Sequence, residues 1–326
     1  LKDIAKEAEV SICTVSRFIN NKISIKDETA EKIKAAIKRL DYIPNSAAKT
    51  LKTNSSKNVA LLIPTLNNLV FAESANEIET EFRQNGYSVF IYAFENDIER
   101  EKIIIPRLIE NKVAGVILNT LPSNYENLIH LRALEKNGIP YVFLNRMFSP
   151  IPVPSVYADY MQGSYESVLH MHGRGRSRIA LLLGRTRQPQ SHANLIGYRN
   201  ALKEAELPVN PDLVFECCYD HTKIPFLVRT AIENGMDAMY CMTDLMAIHA
   251  MNSVKALGKR VPEDIAIIGA GNTAFSTIIE PQLTSVDLQN RSLGRTGAKL
   301  LLDIMKKREY ERTTVLSTRL VIRETA

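Results

Sequence analysis

From residue 58 onward the chain alternates short apolar runs with longer stretches of helical spacing, and it does so twice. Val59–Ile63, Ser88–Ala93, Val116–Leu118 and Tyr141–Leu144 read as strands, with helices over Glu73–Asn85 and Glu101–Asn111. The alternation resumes after Ser155 with a helix at Gly163–His172, a strand at Ile179–Leu183 and a helix around Tyr198–Glu206. Met236–Cys241 and Ile265–Ile268 continue it as strands. A strand that is apolar at every position has no face to give to water, so these runs imply parallel sheets covered on both sides by helices. The fold class is α/β, with two similar lobes of doubly wound parallel sheet. The methionines of Met236–Met251 read as core filling.

The first 57 residues are different in kind. They hold 12 Lys and Arg against 7 Asp and Glu, whereas the remaining residues carry 29 of each sign. A basic head on a neutral body is the electrostatic footprint for a polyanion, confined to one small module. Ile4, Ala5 and Ala8 share one face of a short helix, and the two alanines permit close approach of a second. Ser11 is a natural N-cap for a helix over Ile12–Asn20. That helix turns Val15, Phe18 and Ile19 inward and leaves Ile12, Cys13, Ser16 and Arg17 outside, at the end that enters a major groove in a helix-turn-helix. A third helix, Asp27–Leu40, spaces Ala30, Ile33, Ile37 and Leu40 along one stripe. Glu9 falls in the turn where positive φ is needed, at a cost of roughly 1–2 kcal/mol for a residue with a Cβ. No capping residue precedes the first helix at Leu1, so the native N-terminus is expected upstream.

Composition excludes several classes. At 326 residues, 45% hydrophobic and 24% charged, the chain is ordinary for a globular protein. Its four cysteines, Cys13, Cys217, Cys218 and Cys241, form no paired framework, as in a reducing compartment. A signal peptide and a bilayer-length apolar run are both absent from the sequence, so the expectation is a bacterial cytoplasmic protein with no membrane partner. Gly269-Ala-Gly271 follows a strand and Asp287 lies 18 residues beyond Gly269, which mimics a dinucleotide fingerprint. That fingerprint requires a helix to open at the glycines; here the chain runs into Ile279-Glu280-Pro281, where proline breaks any helix. His170-x-His172 and the adjacent Cys217-Cys218 lack a third or fourth ligand at metal-site spacing. No nucleophile elbow or acid–base pair stands out, so neither an enzyme nor a cofactor is expected.

The run Ala5-x-x-Ala8-x-Val10-Ser11-x-x-Thr14-Val15-Ser16-Arg17-x-x-Asn20, followed by Tyr42-Ile43-Pro44-Asn45, resembles the lactose-repressor (LacI/GalR) family of bacterial transcription regulators. The resemblance implies an N-terminal three-helix helix-turn-helix head, a hinge helix and a two-lobed core like that of periplasmic binding proteins. Its division of the chain would be 1–44 for the head, 45–57 for hinge and linker, and 58–326 for the effector-binding and dimerisation core. Lobe one would comprise about 58–157 and 290–314, and lobe two about 158–289 and 315–326, with crossings near Ala158, Gln289 and Val315. Ile12, Cys13 and Arg17 would read base edges, while Ser11, Thr14, Ser16 and Asn20 hold phosphates. Arg17 can donate two bonds to guanine, and Cys13 is either a weak donor or simply a small half-buried residue. Asn45–Lys52 is too short to be a stable isolated helix, since about 12–15 residues are needed. The family implies that it pairs with a dimer mate in the minor groove, with Leu51 as the wedge and Ala48 and Lys52 beside it; the alternative is an ordinary linker.

The same resemblance implies an effector pocket between the lobes. Val70 and Phe71 would cover the ligand from lobe one, with Asn145 and Arg146 at a strand end; Tyr219 and the Thr243-Asp244 pair would face them from lobe two. Asp244 has a second reading as a helix cap. Two positions depart from the family pattern: Asn194 stands where an Arg is common, and Gly271 where an Asp is common. Either the cleft takes a different ligand, with Arg146 serving an acidic or phosphorylated sugar, or the protein answers chiefly to a protein partner, as catabolite control proteins do. The implied partners are a double-stranded operator, a small-molecule effector (sugar, sugar acid or sugar phosphate) and a second copy of the chain. A sugar-binding transport protein, an α/β enzyme and a nucleoid-type architectural protein are the competing classes. No heptad tail appears that would argue for a tetramer.

Overall fold

The computed structural model describes residues 1–19, 26–42, 56–95, 97–119, 131–145, 153–186 and 188–326. It divides into two compact units, Leu1–Ser56 and Lys57–Ala326. In the first unit, α1 (Lys2–Glu7), α2 (Ile12–Ile19) and α3 (Asp27–Arg39) enclose a small core of Ile4, Ala5, Ala8, Val15, Ile33 and Ala36. Phe18, Ile19 and Ile37 pack partly buried against it. Leu40, expected on the α3 stripe, is 42% exposed. The helix ends at Arg39 and Leu40 becomes its C-cap, so the inward position one turn earlier falls to Ala36. Glu9 has φ 55°, as the tight α1–α2 turn demands.

The second unit holds two sheets of the same design. The first runs β2 (Ser88–Ala93), β1 (Asn58–Ile63), β3 (Gly115–Leu118), β4 (Tyr141–Leu144), β5 (Ser155–Ala158) and β11 (Thr313–Leu316), all parallel. The second repeats that order with β7 (Val214–Glu216), β6 (Ile179–Leu183), β8 (Ala238–Cys241), β9 (Ala266–Ala270), β10 (Thr284–Asp287) and β12 (Arg319–Val321). Only β12 runs antiparallel, against β10. The strand β1 explains its own composition. Val59, Leu61 and Ile63 join one core with α4 (Leu69–Gln84) and α12 (Asn290–Met305). Ala60 and Leu62 point into another, beneath α5 (Ile98–Glu110) and α6 (Arg132–Lys136). Both faces are dry, so alternation with polar residues disappears.

Four helices start earlier than their apolar spacing suggests, at Leu69, Ile98, Tyr160 and Pro189, and two of them show the local reason plainly. The Asn68 side chain accepts from the Val70 N–H and opens α4 four residues ahead of Glu73. In lobe two, α8 (Pro189–Glu204) opens with proline in its first turn, nine residues before Tyr198. Further helices of this lobe are α7 (Tyr160–Gly173), α9 (Ile224–Glu233), α10 (Asp244–Ala256) and the short α11 (Phe275–Ile278).

The chain passes between the sheets after Ala158, again between Asp287 and Asn290, and last between Leu316 and Arg319. The third passage comes just beyond Val315, because β11 continues through Leu316. These three segments are bonded to one another. The Asp159 N–H donates to Leu316 O at 3.0 Å, the Thr318 hydroxyl to Asp159 O at 3.1 Å, and the Gln289 side-chain amide to Ser317 O.

Each lobe also contains one helix pair in backbone contact. A Cβ on Gly197 of α8 would lie 2.1 Å from Met161 O of α7, and one on Gly294 of α12 would lie 2.3 Å from Ser74 O of α4. Carbonyl oxygens of a packed helix cannot step aside as a flexible side chain can. Gly197→Ala and Gly294→Ala are therefore each expected to lower stability by about 2–3 kcal/mol or more, read as a fall in the thermal unfolding midpoint.

Candidate functional site

In the head, Ser11 Oγ accepts from the Thr14 N–H at 3.0 Å and lies 2.8 Å from Thr14 Oγ1. This cap satisfies one of the free amides at the start of α2 and fixes where the helix begins. With Val15 fully buried, the opposite face is set: Ile12 is 46% exposed, and Cys13 and Arg17 are exposed beside it. An apolar branch, a thiol and a guanidinium on one helix face can meet base edges in a major groove. Arg39 of α3 pairs with Glu7 of α1 at 2.8 Å, bracing the scaffold from behind. Asn20, Asn45, Ala48, Leu51 and Lys52 lie outside the described residues.

In the second unit a cavity of about 320 Å³ lies at the carboxyl ends of both sheets. From lobe one come Pro64, Thr65, Asn67 and Asn68 after β1, Val70 and Phe71 of α4, Glu95 after β2, and Asn145 after β4. Lobe two supplies Tyr160, Gln190, Tyr219, His221, Met242, Thr243, Leu245 and Ala270, and Leu288 stands at the second crossing. Strands running in parallel end their hydrogen-bonding on one edge, and the loops leaving that edge are free to diverge and enclose a ligand.

Of the positions singled out in the sequence, Val70, Phe71, Asn145, Tyr219 and Thr243 line this cavity. Arg146 lies outside the described residues. Asn194 does not reach the cavity. It is fully buried in lobe two, where its Nδ2 donates to Gln190 O and its Oδ1 accepts from the Tyr240 hydroxyl at 2.9 Å. Because α8 begins at Pro189, the residue near the mouth is Gln190, and Asn194 sits one turn deeper.

Asp244 is also turned away. Its Oδ2 accepts from the Thr273 N–H and hydroxyl at 2.7 and 2.8 Å, and its Oδ1 from Ser285 Oγ at 2.5 Å. Burial pushes this carboxyl's pKa up, against the pull of those bonds and of Arg323. Its second reading as a cap also fails, since the Thr243 side chain caps α10 by accepting from the Met246 N–H. Gly271 has φ 127°, and a Cβ there would meet Val70 Cγ2 at 3.2 Å and Asp244 Oδ2 at 3.3 Å. The position common in the family for an Asp is thus strained here for any side chain by its backbone conformation, and a Cβ would press against a neighbouring carboxylate. No helix opens at Gly269–Gly271; the Gly271 N–H bonds Val286 O instead, which removes the dinucleotide reading.

The sequence reading does not reach Tyr160, Gln190, His221, Met242 and Leu245 in lobe two, nor Pro64, Thr65, Asn67, Asn68 and Glu95 in lobe one, nor Ala270 and Leu288. Placing the start of α8 at Pro189 would have found Gln190, and the others needed the strand ends brought together. Tyr219 donates its hydroxyl to Gln188 Oε1 at 2.9 Å, and burial holds its phenol un-ionised. Among the described residues no cluster of three or more His, Cys, Asp or Glu could hold a metal. Cys217 is buried with its thiol pushed up to about 11, far from reactive. His221 stacks on His249 with ring centroids 4.9 Å apart. Burial, then the neighbouring His249, lowers the pKa of His221, while Asp220 opposes them. An unfolded chain takes up that proton first, so folded stability is lost as pH falls through 6.5 and below. His221→Gln should therefore flatten the fall in thermal midpoint between about pH 7.5 and 5.5 relative to the unaltered protein.

Comparison with known proteins adds the following. Residues 1–45 match the family described as bacterial regulatory proteins, lacI family, and residues 168–326 match a periplasmic binding protein-like domain. The HTH-type transcriptional repressor PurR of Aliivibrio salmonicida (strain LFI1238) is 30% identical over 315 residues, covering 96% of this chain and 94% of that protein. Catabolite control protein A of Priestia megaterium is 31% identical over 316 residues, with the same coverages of 96% and 94%. The lac repressor dimer bound to operator and the anti-inducer ONPF has a TM-score of 0.89 at 26% identity, covering 99% of this chain and 97% of that one. The regulator CelR in its cellobiose complex has a TM-score of 0.77 at 26% identity, covering 100% and 99%.

Proposed function

The chain belongs to the LacI family of bacterial regulatory proteins, and from that premise we propose a homodimeric repressor whose α2 helices read two operator half-sites. Its inter-lobe cleft takes a small effector of the sugar, sugar acid or sugar phosphate class. The observation that carries this reading is one chain that exposes Ile12, Cys13 and Arg17 on a capped helix and also encloses a cavity between two binding-protein lobes. In this assignment Ser11, Thr14, Ser16 and Asn20 meet phosphates. Asn45, Ala48, Leu51 and Lys52 belong to a hinge segment over 45–57 that pairs at the operator centre, between a head over 1–44 and a core over 58–326.

Val70, Phe71, Asn145, Arg146, Tyr219 and Thr243 are assigned to the effector, with Gln190 in place of Asn194. Effector binding changes operator affinity only if it favours one lobe arrangement over the other, and a coupling of about 1–3 kcal/mol is typical. Phe90, Ile91, Phe226 and Ile278 are large apolar side chains left 45%, 44%, 71% and 72% exposed, and a second copy of the chain is the occupant assigned to them. Among the described residues no helix is long and apolar enough to cross a membrane, and we assign the regulator to the bacterial cytoplasm.

The test is fluorescence anisotropy at fixed salt, with fragments from around the protein's own gene, a scrambled control and a pool of sugars, sugar acids and sugar phosphates. One fragment should bind far more tightly than the scramble, with its affinity shifted by a pool member. Equal binding to all fragments, unaffected by the pool, would overturn the reading. Arg17→Ala should weaken binding to the preferred fragment by about 1–3 kcal/mol and relax preference at one base pair, leaving the scramble less affected.

A further inference from the structure

The leading end of α2 offers a groove almost nothing that hydrogen-bonds to a base. Ile12 opens the helix and is 46% exposed, Cys13 is exposed beside it, and Val15 is fully buried behind them. Their neighbours Ser11 and Thr14 turn their hydroxyls to one another at 2.8 Å, and Ser11 Oγ also accepts from the Thr14 N–H. An alkyl branch has no polar atom, and a thiol is only a weak donor and a weak acceptor. The outward positions Ile12, Cys13, Ser16 and Arg17 include no amide and no carboxylate, the groups that pair with adenine and with the cytosine amine. Strong donors come one turn further on, from the exposed Arg17.

In the major groove the apolar group that a base pair shows is the C5-methyl of thymine. Resting on the reading of α2 as the recognition helix, we propose that Ile12, with Cys13 beside it, recognises that methyl. Each half-site then holds a 5-methylpyrimidine close to the guanine taken by Arg17. Cys13 and Arg17 are four residues apart in α2, which is about 6 Å along a helix or roughly two base steps. Water leaves the methyl and the isoleucine branch together when they meet, so the contact is favourable without a hydrogen bond. It carries sequence information that a phosphate contact lacks. Ile12 distinguishes the methyl and not the pairing edge: 5-methylcytosine satisfies it, and uracil does not. One buried methyl is worth about fourfold in affinity, so Arg17 supplies the larger share of discrimination.

The preferred operator of the full chain would be recovered from a random duplex pool. Its thymines would be replaced one at a time by deoxyuridine, and by cytosine or 5-methylcytosine opposite guanine. Anisotropy at fixed salt should find, in each half-site, a thymine where deoxyuridine weakens binding about fourfold. That thymine should lie within roughly two base steps of an essential guanine. 5-Methylcytosine there should bind more tightly than cytosine by about the same factor. In Ile12→Ala the thymine and deoxyuridine duplexes should bind nearly alike, whereas in Arg17→Ala the difference should persist. Ile12→Ala trims an exposed side chain and leaves the Ser11 cap in place, so its circular dichroism melt should match the parent. The deoxyuridine comparison in the unaltered chain stands without any variant. Half-sites in which no thymine is sensitive to deoxyuridine overturn this inference and leave the regulator standing. A deoxyuridine penalty that Ile12→Ala leaves intact does the same. Failure to enrich any sequence from the pool overturns both.

Discussion

Everything in the core depends on how three strands of chain are tied where they pass between the lobes. Each lobe is an open α/β sheet covered by its own helices, so nothing in the sheets themselves dictates their relative orientation. The crossovers do. Asp159, Gln289 and Thr318 come from three distant parts of the sequence, and the bonds among them make a short three-ply segment. A single linker would let the lobes turn freely. Three bonded together leave bending as the motion that breaks least, and bending opens or shuts the edge where the strands end. Asn290, just past the second crossing, extends this tie by donating to Gly271 O at 2.8 Å and to Glu73 Oε2 at 3.1 Å, one in each lobe.

Polar accounting separates residues that hold the cleft from residues that face it. Asp244 and Asn194 are strongly polar, deeply buried and close to the cavity, and their side-chain hydrogen bonds engage them with their own lobe. Their polarity maintains the turn after β9 and the seat of α8. Asn145 and Gln190 are equally buried, but both line the cavity.

Much of this was legible in the sequence. The central strands announce themselves because parallel burial removes the strongly polar residues from them, and Tyr141–Leu144 and Ile179–Leu183 fall where their composition places them. The head was legible for the opposite reason: its signals are local, a serine cap and a helical stripe within one short segment. What could not be read was set by partners far away in the chain. Three of the four edge strands, β7, β11 and β12, are three or four residues long and only half-apolar, so they become strands through the neighbour they meet. Leu40 looked like core because its spacing continued past the point where the helix stopped. Asn194 is expected in the cleft only from the family pattern before Gly197-Tyr198, and no local signal in the sequence shows that its amide is taken up by Gln190 O and the Tyr240 hydroxyl.

The threaded connectivity also has a consequence for the chain while it is being made. The helix-turn-helix is complete once Tyr42 has been added, but lobe one lacks α12 and β11 until Leu316, and lobe two lacks β12 until Val321. At a synthesis rate of about 5–20 residues per second, roughly 15 to 60 seconds separate these events. During that interval the nascent polypeptide carries a finished nucleic-acid module on a body whose two halves are both unfinished, each waiting for a segment that comes after most of the other. The earliest competent activity of the molecule is thus unregulated attraction to polyanions, and control is acquired last, within the final stretch of translation.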